Sequence, residues 1–555
     1  MKKHFWWILL SVLIISSMVL AGCAPAAVEP VAEAPAATEA PAATEAPAAT
    51  EAPAATEAPA AERTGKITFI DNTGFYTLNI FRTPWFTMTQ GAMYDPMVAP
   101  TLELDGYVCV LCKDWEIAED NLSVVFHLRD DVKFHDGTPF NAEAAKWNYD
   151  YYLDIDNGAQ LNQDWVSYFE SFEVVDEFTL KVNLLEPYAP LFADFYLTYI
   201  ASPTAYQTLG DAGFGSAPVG TGPFIPVEIV ENSHVLYKAN PEYVWGPPWS
   251  SGQPPKVAEF EIRFNTDTNV SYASLESGEA SYIMIAAENL EAANANPTIE
   301  INKGIDWGLQ YVGWNHTKPL YQNIAFREAV AHAIDRDEAI LAAFGGEAFS
   351  IASYVPPSTW GFQDEQNAYA KEKFAYDPEL SRQILDEAGI VDTNGDGIRE
   401  FEGEEIVKQF AVFQSDEIKR LAETIQSQLL EIGIKLEVAQ MESATQAEML
   451  VACQQEFFIR AYGLNDATIV SAMVTPPNRT CWDDAEAQRL AKLANTTMDP
   501  VERQKYVTQL NNYMVDQFAW VPIFASYTNV AYRADLKGIL WDKAGNPNFH
   551  DAYFE

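Results

Sequence analysis

Lys113-Asp114-Trp115-Glu116 and then Leu122-Ser123-Val124-Val125-Phe126-His127-Leu128-Arg129-Asp130-Asp131-Val132-Lys133-Phe134-His135-Asp136-Gly137-Thr138-Pro139-Phe140 form the most informative stretch of this 555-residue chain. Leu122, Val124, Phe126 and Leu128 alternate with other residues, the period of a strand with one face inward. Asp136-Gly137 suits a turn. Thr138-Pro139 sets an extended approach to a helix carrying Trp147 and Tyr151, because proline disfavours helical backbone in the residue before it.

Reading outward, strands continue to alternate with capped helices. Asp377-Pro378 reads as N-cap and first helical residue, with Leu380, Ile384, Leu385 and Ala388 as one stripe and Gly389 past the end. Ser415 caps a helix whose Ile418, Leu421, Ile425, Leu429 and Ile432 share a face. Gly433 ends it, and Ile434, Leu436 and Val438 alternate as a strand. Asp499-Pro500 opens another helix with Val507, Leu510, Met514 and Phe518 in a stripe, and Trp520-Val521-Pro522-Ile523-Phe524 reads as a strand. The pattern predicts an α/β chain with mostly parallel or mixed sheets. Ligands in such folds sit at strand ends or between domains.

Length alone allows three or four domains. The 34 Lys and Arg against 79 Asp and Glu leave a net charge of −45. That balance excludes nucleic-acid binding, which needs a basic face, and a polybasic membrane-surface role. Seven of the acids lie before residue 63, so the acidity belongs mainly to the folded body.

The N-terminus reads as an export signal. Lys2 and Lys3 precede an apolar run over residues 5–20, and Leu20-Ala21-Gly22-Cys23 has the form of a bacterial lipobox, with Cys23 as the lipidated residue. Such lipid anchors a protein without making it span the bilayer. After it, Glu-Ala-Pro-Ala-Ala-Thr repeats with period six from Glu33, Glu39, Glu45 and Glu51. The unit has no face to bury, so it is expected to be a disordered, extended tether. At ~3.1 Å per residue, about 40 residues reach on the order of 100 Å. No later stretch has the length and apolarity of a membrane span.

Reaction chemistry is absent from the motifs: there is no G-x-S-x-G, H-E-x-x-H, G-x-x-x-x-G-K-[ST] or G-x-G-x-x-G. His127 and His135 lack the spacing and Cys partners of a structural zinc site. Asp392, Asn394, Asp396 and Gly397 fit the start of a calcium loop, but its twelfth position is Gly403 instead of a bidentate Glu, so a tight turn is favoured. No metal or cofactor is expected. With Cys23 set aside, four cysteines remain for an oxidising compartment. Local pairing, Cys109 with Cys112 and Cys453 with Cys481, is the simplest of three connectivities. For Cys109 and Cys112 the reading is a structural disulfide or two unpaired thiols over a redox pair.

The opening stretch, together with Met93-Tyr94-Asp95-Pro96-Met97-Val98, Gly220-Thr221-Gly222-Pro223-Phe224, Asn240-Pro241-Glu242-Tyr243, Phe326-Arg327-Glu328-Ala329-Val330 leading to Ala333-Ile334-Asp335-Arg336, and Ile432-Gly433-Ile434, resembles the family-5 extracellular solute-binding proteins of ABC transporters, the oligopeptide-, dipeptide- and nickel-binding group. The resemblance covers essentially all of residues 64–555. It implies a two-lobed periplasmic-binding-protein-like fold of three discontinuous domains that closes on ligand by a hinge. Residues 1–22 are then signal and 23–63 lipidated Cys and tether. Domain I takes 64–92, 218–312 and 522–555, domain II takes 93–217, and domain III takes 313–521. Crossovers fall near Gly220, Tyr311 to Asn315 and Trp520 to Phe524.

In peptide-binding members an Asp soon after a domain III strand meets the peptide's ammonium. Here the corresponding stretch is Phe457-Phe458-Ile459-Arg460-Ala461-Tyr462-Gly463-Leu464-Asn465-Asp466. Aligning on Arg460-Ala461 gives that role to Asp466, and aligning on Tyr462 gives it to Asn465. A carboxylate suits an ammonium, and an Asn suits a neutral hydroxyl or carbonyl; Asp466 also reads as a strand-end cap. By the same resemblance Trp85, Phe86 and Trp360 are candidate ligand platforms.

The expectation is therefore a non-enzymatic, monomeric receptor tethered by lipid on the outer face of the plasma membrane or in the periplasm. It would capture a peptide, or alternatively an oligosaccharide, and deliver it to an ABC permease whose ATPase is a separate protein. Nickel is disfavoured for want of a His cluster. A secreted hydrolase and a sensory or adhesive receptor are the other classes considered.

Overall fold

The computed structural model describes residues 63–75, 77–83, 87–159 and 165–555; the signal, Cys23, the repeat tether, Trp85 and Phe86 lie outside the described residues. Among the described residues no helix is long and apolar enough to cross a membrane.

Two sheets organise the chain. The smaller is antiparallel, in the order Cys112–Ile117, Ser123–Leu128, Thr179–Leu184, Phe169–Asp176. Val124, Phe126 and Leu128 point into its core, as the period-two pattern predicts. Leu122 departs from it: it precedes the strand and is 40% exposed. The helix Ala142–Leu153, capped by the Asn141 side chain, packs on this sheet.

The larger sheet is mixed. From one edge it runs Lys435–Met441, Val407–Phe413, Phe457–Gly463, Gly308–Trp314, Val521–Arg533, Tyr282–Met284, Lys66–Asp71, Glu259–Phe264, His234–Ala239 and Phe224–Val230. Val407–Phe413 and Lys435–Met441 are parallel and joined by the helix Asp416–Glu431, since a parallel pair needs a crossover. Ser415 caps that helix, and Ile418, Leu421, Ile425 and Leu429 are its buried face.

Val521–Arg533 is the element common to both halves. Its first part pairs with Gly308–Trp314 and Ala348–Ser350, its second with Tyr282–Met284 and Ile299–Ile305. Pro522 lacks an N–H for the ladder, and the register slips between Gln310 and Tyr311 opposite it. The buried apolar residues form two large clusters that divide at the same place, and a small third one around Ile70, Ile283 and Ala531. One cluster runs from Leu309 to Phe524; the other takes residues from Ile67 to Tyr282 with Val530, Leu536, Phe549 and Ala552. Two large cores on one shared strand make the two-lobed α/β architecture.

The sequence motifs meet at one joint. Buried Asp95 accepts bonds from the Thr221 hydroxyl (2.9 Å), the Tyr243 hydroxyl (3.0 Å) and Trp245 Nε1–H (3.1 Å). The His135 ring donates from Nε2 to Gly222 O (2.9 Å), and His135 N–H donates to Gly220 O (2.9 Å). Asp136 accepts from Ser202 Oγ (2.7 Å) and caps its own turn at Thr138. A Cβ on Gly222 would lie 2.5 Å from the Met93 carbonyl carbon, so only glycine admits this backbone crossing. The motifs are thus structural, and burial lowers His135 to about 4, against the opposing pull of its bond to Gly222 O.

Cys109 is joined to Cys112 and Cys453 to Cys481, with Cα separations of 5.0 and 6.0 Å. Asp392 closes its loop on itself, accepting Gly395 and Gly397 N–H.

Candidate binding cleft

A cavity of about 390 Å³ opens where three strands end or cross. Its wall takes Gln310 from Gly308–Trp314, Tyr462 and Gly463 from Phe457–Gly463, and Ser526 from Val521–Arg533, with Asp306, Trp307 and Arg479 around them. Gly308 faces Gly463 in the antiparallel register. A Cβ on Gly463 would sit 2.5 Å from Trp307 O, so the glycine lets the two backbones close the end of the sheet.

The segment around the smaller sheet reaches across to this wall. Tyr196 stacks on Trp307 with centroids 6.4 Å apart and planes 15° from parallel. Ala189 N–H donates to Asn495 O (2.7 Å), Lys492 pairs with Glu186 (3.1 Å), and Trp360 Nε1–H donates to Asp105 O (3.2 Å). The lobes are therefore in contact, in a closed arrangement.

Asp466, Asn465 and Trp360 come together. Trp360 N–H donates to Asn465 O (3.0 Å), and Trp360 and Asp466 form a parallel bridge. Asp466, expected to meet an ammonium, has partners inside the protein. Its carboxylate is wholly buried and held by both terminal nitrogens of Arg503, and Oδ1 also caps Thr468 N–H. The cation over Trp360 is likewise internal: the Arg503 guanidinium carbon lies 4.3 Å from the ring centroid. Asn465 differs from both. It is 7% exposed, and neither amide atom has a hydrogen-bond partner.

Tyr462 contributes backbone to the cavity, while its hydroxyl donates to Tyr354 O (2.7 Å) inside the core. Burial raises that phenol well above its ordinary value. Arg460 donates to Ser443 Oγ (2.9 Å) and Gln446 Oε1 (3.1 Å). Arg479 donates to Ala461 O (2.6 Å). The two arginines are close enough that Arg479 adds to burial in lowering Arg460. Tyr311, beside both, is raised to about 12 by burial, with the arginines opposing. Asp306 stays open to water, but the desolvated cleft around it raises its carboxyl, opposed by Trp307 N–H.

Sequence reasoning missed Asp306, Trp307, Gln310, Arg479 and Arg503. Asp306 and Trp307 precede the expected crossover at Tyr311, the one local signal available. Arg479 and Arg503 lie far along the chain with nothing around them to mark a site. Among the described residues no group of three His, Cys, Asp or Glu side chains is arranged to hold a metal.

Comparison with known proteins gives the class. The family described as bacterial extracellular solute-binding proteins, family 5 Middle, matches residues 106–475, and the chain belongs to that family. A Brucella ovis protein named as an ABC transporter peptide-binding protein is 28% identical over 350 residues, 62% of each chain. The match thus spans less than two thirds of that relative. Heme-binding protein A of Haemophilus influenzae is 25% identical over 477 residues, 80% of this chain and 83% of its own. The solved structure of HbpA2 from Haemophilus parasuis shares the fold, with a TM-score of 0.76 at 21% identity, covering 88% of this chain and 100% of that one.

Proposed function

We propose that this protein is the extracytoplasmic receptor of an ABC importer, capturing a peptide between its lobes and releasing it to a permease energised by a separate ATPase. The observation that carries the reading is the cavity of about 390 Å³ beside the shared strand Val521–Arg533, whose rim residue Trp307 is met by Tyr196 of the other lobe. A hinge through few segments lets the lobes part for entry. The wall includes the buried, unpartnered amide oxygen of Gln310, a group suited to a peptide N–H. The naming of the Brucella relative supports a peptide. The domain limits 64–92, 93–217, 218–312, 313–521 and 522–555 belong to this proposal, as do the lipid anchor at Cys23, the extended tether, a monomeric state and the absence of catalysis.

Mass spectrometry under native conditions, on chain purified without denaturant, tests the reading. A co-purifying peptide, and a midpoint raised by peptides in a thermal screen, support it. A midpoint moved only by oligosaccharides replaces peptide with sugar, and turnover of the ligand on incubation overturns the binding function.

A further inference from the structure

Trp307 and Asp306 set an aromatic face and an unpaired carboxylate side by side at the cavity. Both line it, and Tyr196 of the other lobe stacks on Trp307 with planes 15° from parallel. The Asp306 carboxylate accepts from Trp307 N–H (2.7 Å). Ile305 N–H donates to Ala544 O (2.7 Å), which brings the turn of Asp542 against the same corner. Asp542 accepts from its own turn, Asn546 N–H (2.8 Å) and Nδ2–H (2.9 Å), and it adds to burial in raising the Tyr196 phenol. Among the described residues neither carboxylate forms an ion pair, and burial raises both with no cation opposing. By contrast Asp466 is paired with Arg503, and Glu186 with Lys492. Arg479, in the same wall, donates to Ala461 O, and its charge bears on Tyr311 rather than on Asp306.

Ring faces attract a cation, and a flat cation stacks on them while its edge stays free to bond. A carboxylate beside the ring takes N–H groups from that edge. Closure would strand the Asp306 charge unless the solute brings the opposite one. The chain as a whole, at net charge −45, draws cations towards it. Resting on the cleft reading above, we propose that the corner of Trp307, Tyr196 and Asp306 receives the guanidinium of an arginine side chain, so that the solutes captured are peptides carrying arginine. Trp307 and Tyr196 cover the flat group as the lobes close, Asp306 accepts from its edge, and Asp542 adds a second negative charge. A lysine ammonium fits less well, since it brings the charge without a face to stack.

The test uses the full-length chain in detergent and four tripeptides, Ala-Arg-Ala, Ala-Lys-Ala, Ala-Leu-Ala and Ala-Glu-Ala, with agmatine as a free guanidinium. Titration calorimetry should show Ala-Arg-Ala binding roughly tenfold or more tighter than Ala-Leu-Ala, with Ala-Lys-Ala between them and Ala-Glu-Ala weakest. Asp306→Asn should remove the preference for the cationic peptides, and Trp307→Leu the preference for arginine over lysine. The ranking of peptides on the unaltered chain stands even if a variant fails to fold. Equal binding of the arginine and leucine peptides overturns the guanidinium site and leaves peptide capture intact. Lysine bound as tightly as arginine overturns the assignment to a planar cation. Agmatine bound by the unaltered chain and lost in Asp306→Asn, with no peptide bound, upholds the site and overturns the peptide reading. Binding of neither peptides nor agmatine overturns both.

Discussion

Arg503 holds Asp466 through two bonds, Nη1 to Oδ2 at 2.8 Å and Nη2 to Oδ1 at 2.5 Å, with side chains only 6% and 0% exposed. Removing one partner strands a charge in the interior. Asp466→Ala should lower unfolding free energy by about 3–5 kcal/mol, read by urea denaturation. The double variant Asp466→Leu, Arg503→Met should recover most of that loss. A single variant as stable as the unaltered chain would mean the pair adds nothing.

Trp360 carries the pair's influence to the other lobe through Nε1–H on Asp105 O. Trp360→Phe keeps a ring under Arg503 and deletes that donor. The closed state should lose about 1 kcal/mol, a five- to tenfold weaker ligand affinity. Small-angle scattering should show a larger radius for the unliganded variant. Unchanged affinity and radius would remove this contact from closure.

Gly220 and Gly222 carry the crossing against Met93 and Tyr94. A Cβ at Gly220 would lie 2.2 Å from Met93 O, and one at Gly222 2.8 Å from Tyr94 N. Backbone atoms give way poorly, so Gly222→Ala should destabilise by at least about 1–3 kcal/mol. Thermal unfolding measures it, and a midpoint within a degree of the parent would contradict the crossing.

The disulfide Cys453–Cys481 closes a loop across 28 positions, whereas Cys109–Cys112 spans three. On the loop-entropy argument, replacing the first pair by serine should cost about 3–4 kcal/mol and replacing the second distinctly less. Denaturation of the two double variants ranks them, and the reverse order would refute the argument.

Two buried groups set opposite pH trends. His316 donates to Ala519 O, and burial lowers it from 6.5 to about 3. The unfolded chain binds that proton first, so stability falls by about 1.4 kcal/mol per unit as pH drops from 6.5 towards 3. Asp95 is raised by burial from 3.8 to about 6, against its three donors. There the folded chain binds the proton first, so stability rises at a similar slope as pH drops from 6 to 4. The two offset each other in that window. Asp95→Asn should therefore unmask a steeper loss of stability on acidification, and His316→Gln a shallower one. Parallel curves for all three proteins would show that neither group titrates as described.

Much of the fold was legible locally. Asp377, Ser415 and Asp499 each cap a helix at the position their side chains suggest, because capping needs only neighbours within three residues. Val124, Phe126 and Leu128 reported their strand by period alone. The cleft was not legible in the same way. Arg503 lies 37 residues from Asp466, and Trp360 meets Asp105 across 255. No periodicity encodes such encounters. That Asp466 is paired while the Asn465 amide is not rests on a partner that only folding delivers.

The sequence by itself determined the elements, the turn and crossover motifs, and through them the family, since these rest on backbone preferences and short-range sterics. Tertiary structure decided which polar groups are already satisfied. Asp466 is neutralised within the protein, while Gln310 Oε1 in the cavity wall and the Asn465 amide have no partner. The physical reason is that a buried polar group's role depends on what desolvates and pairs with it, and those neighbours arrive from distant parts of the chain.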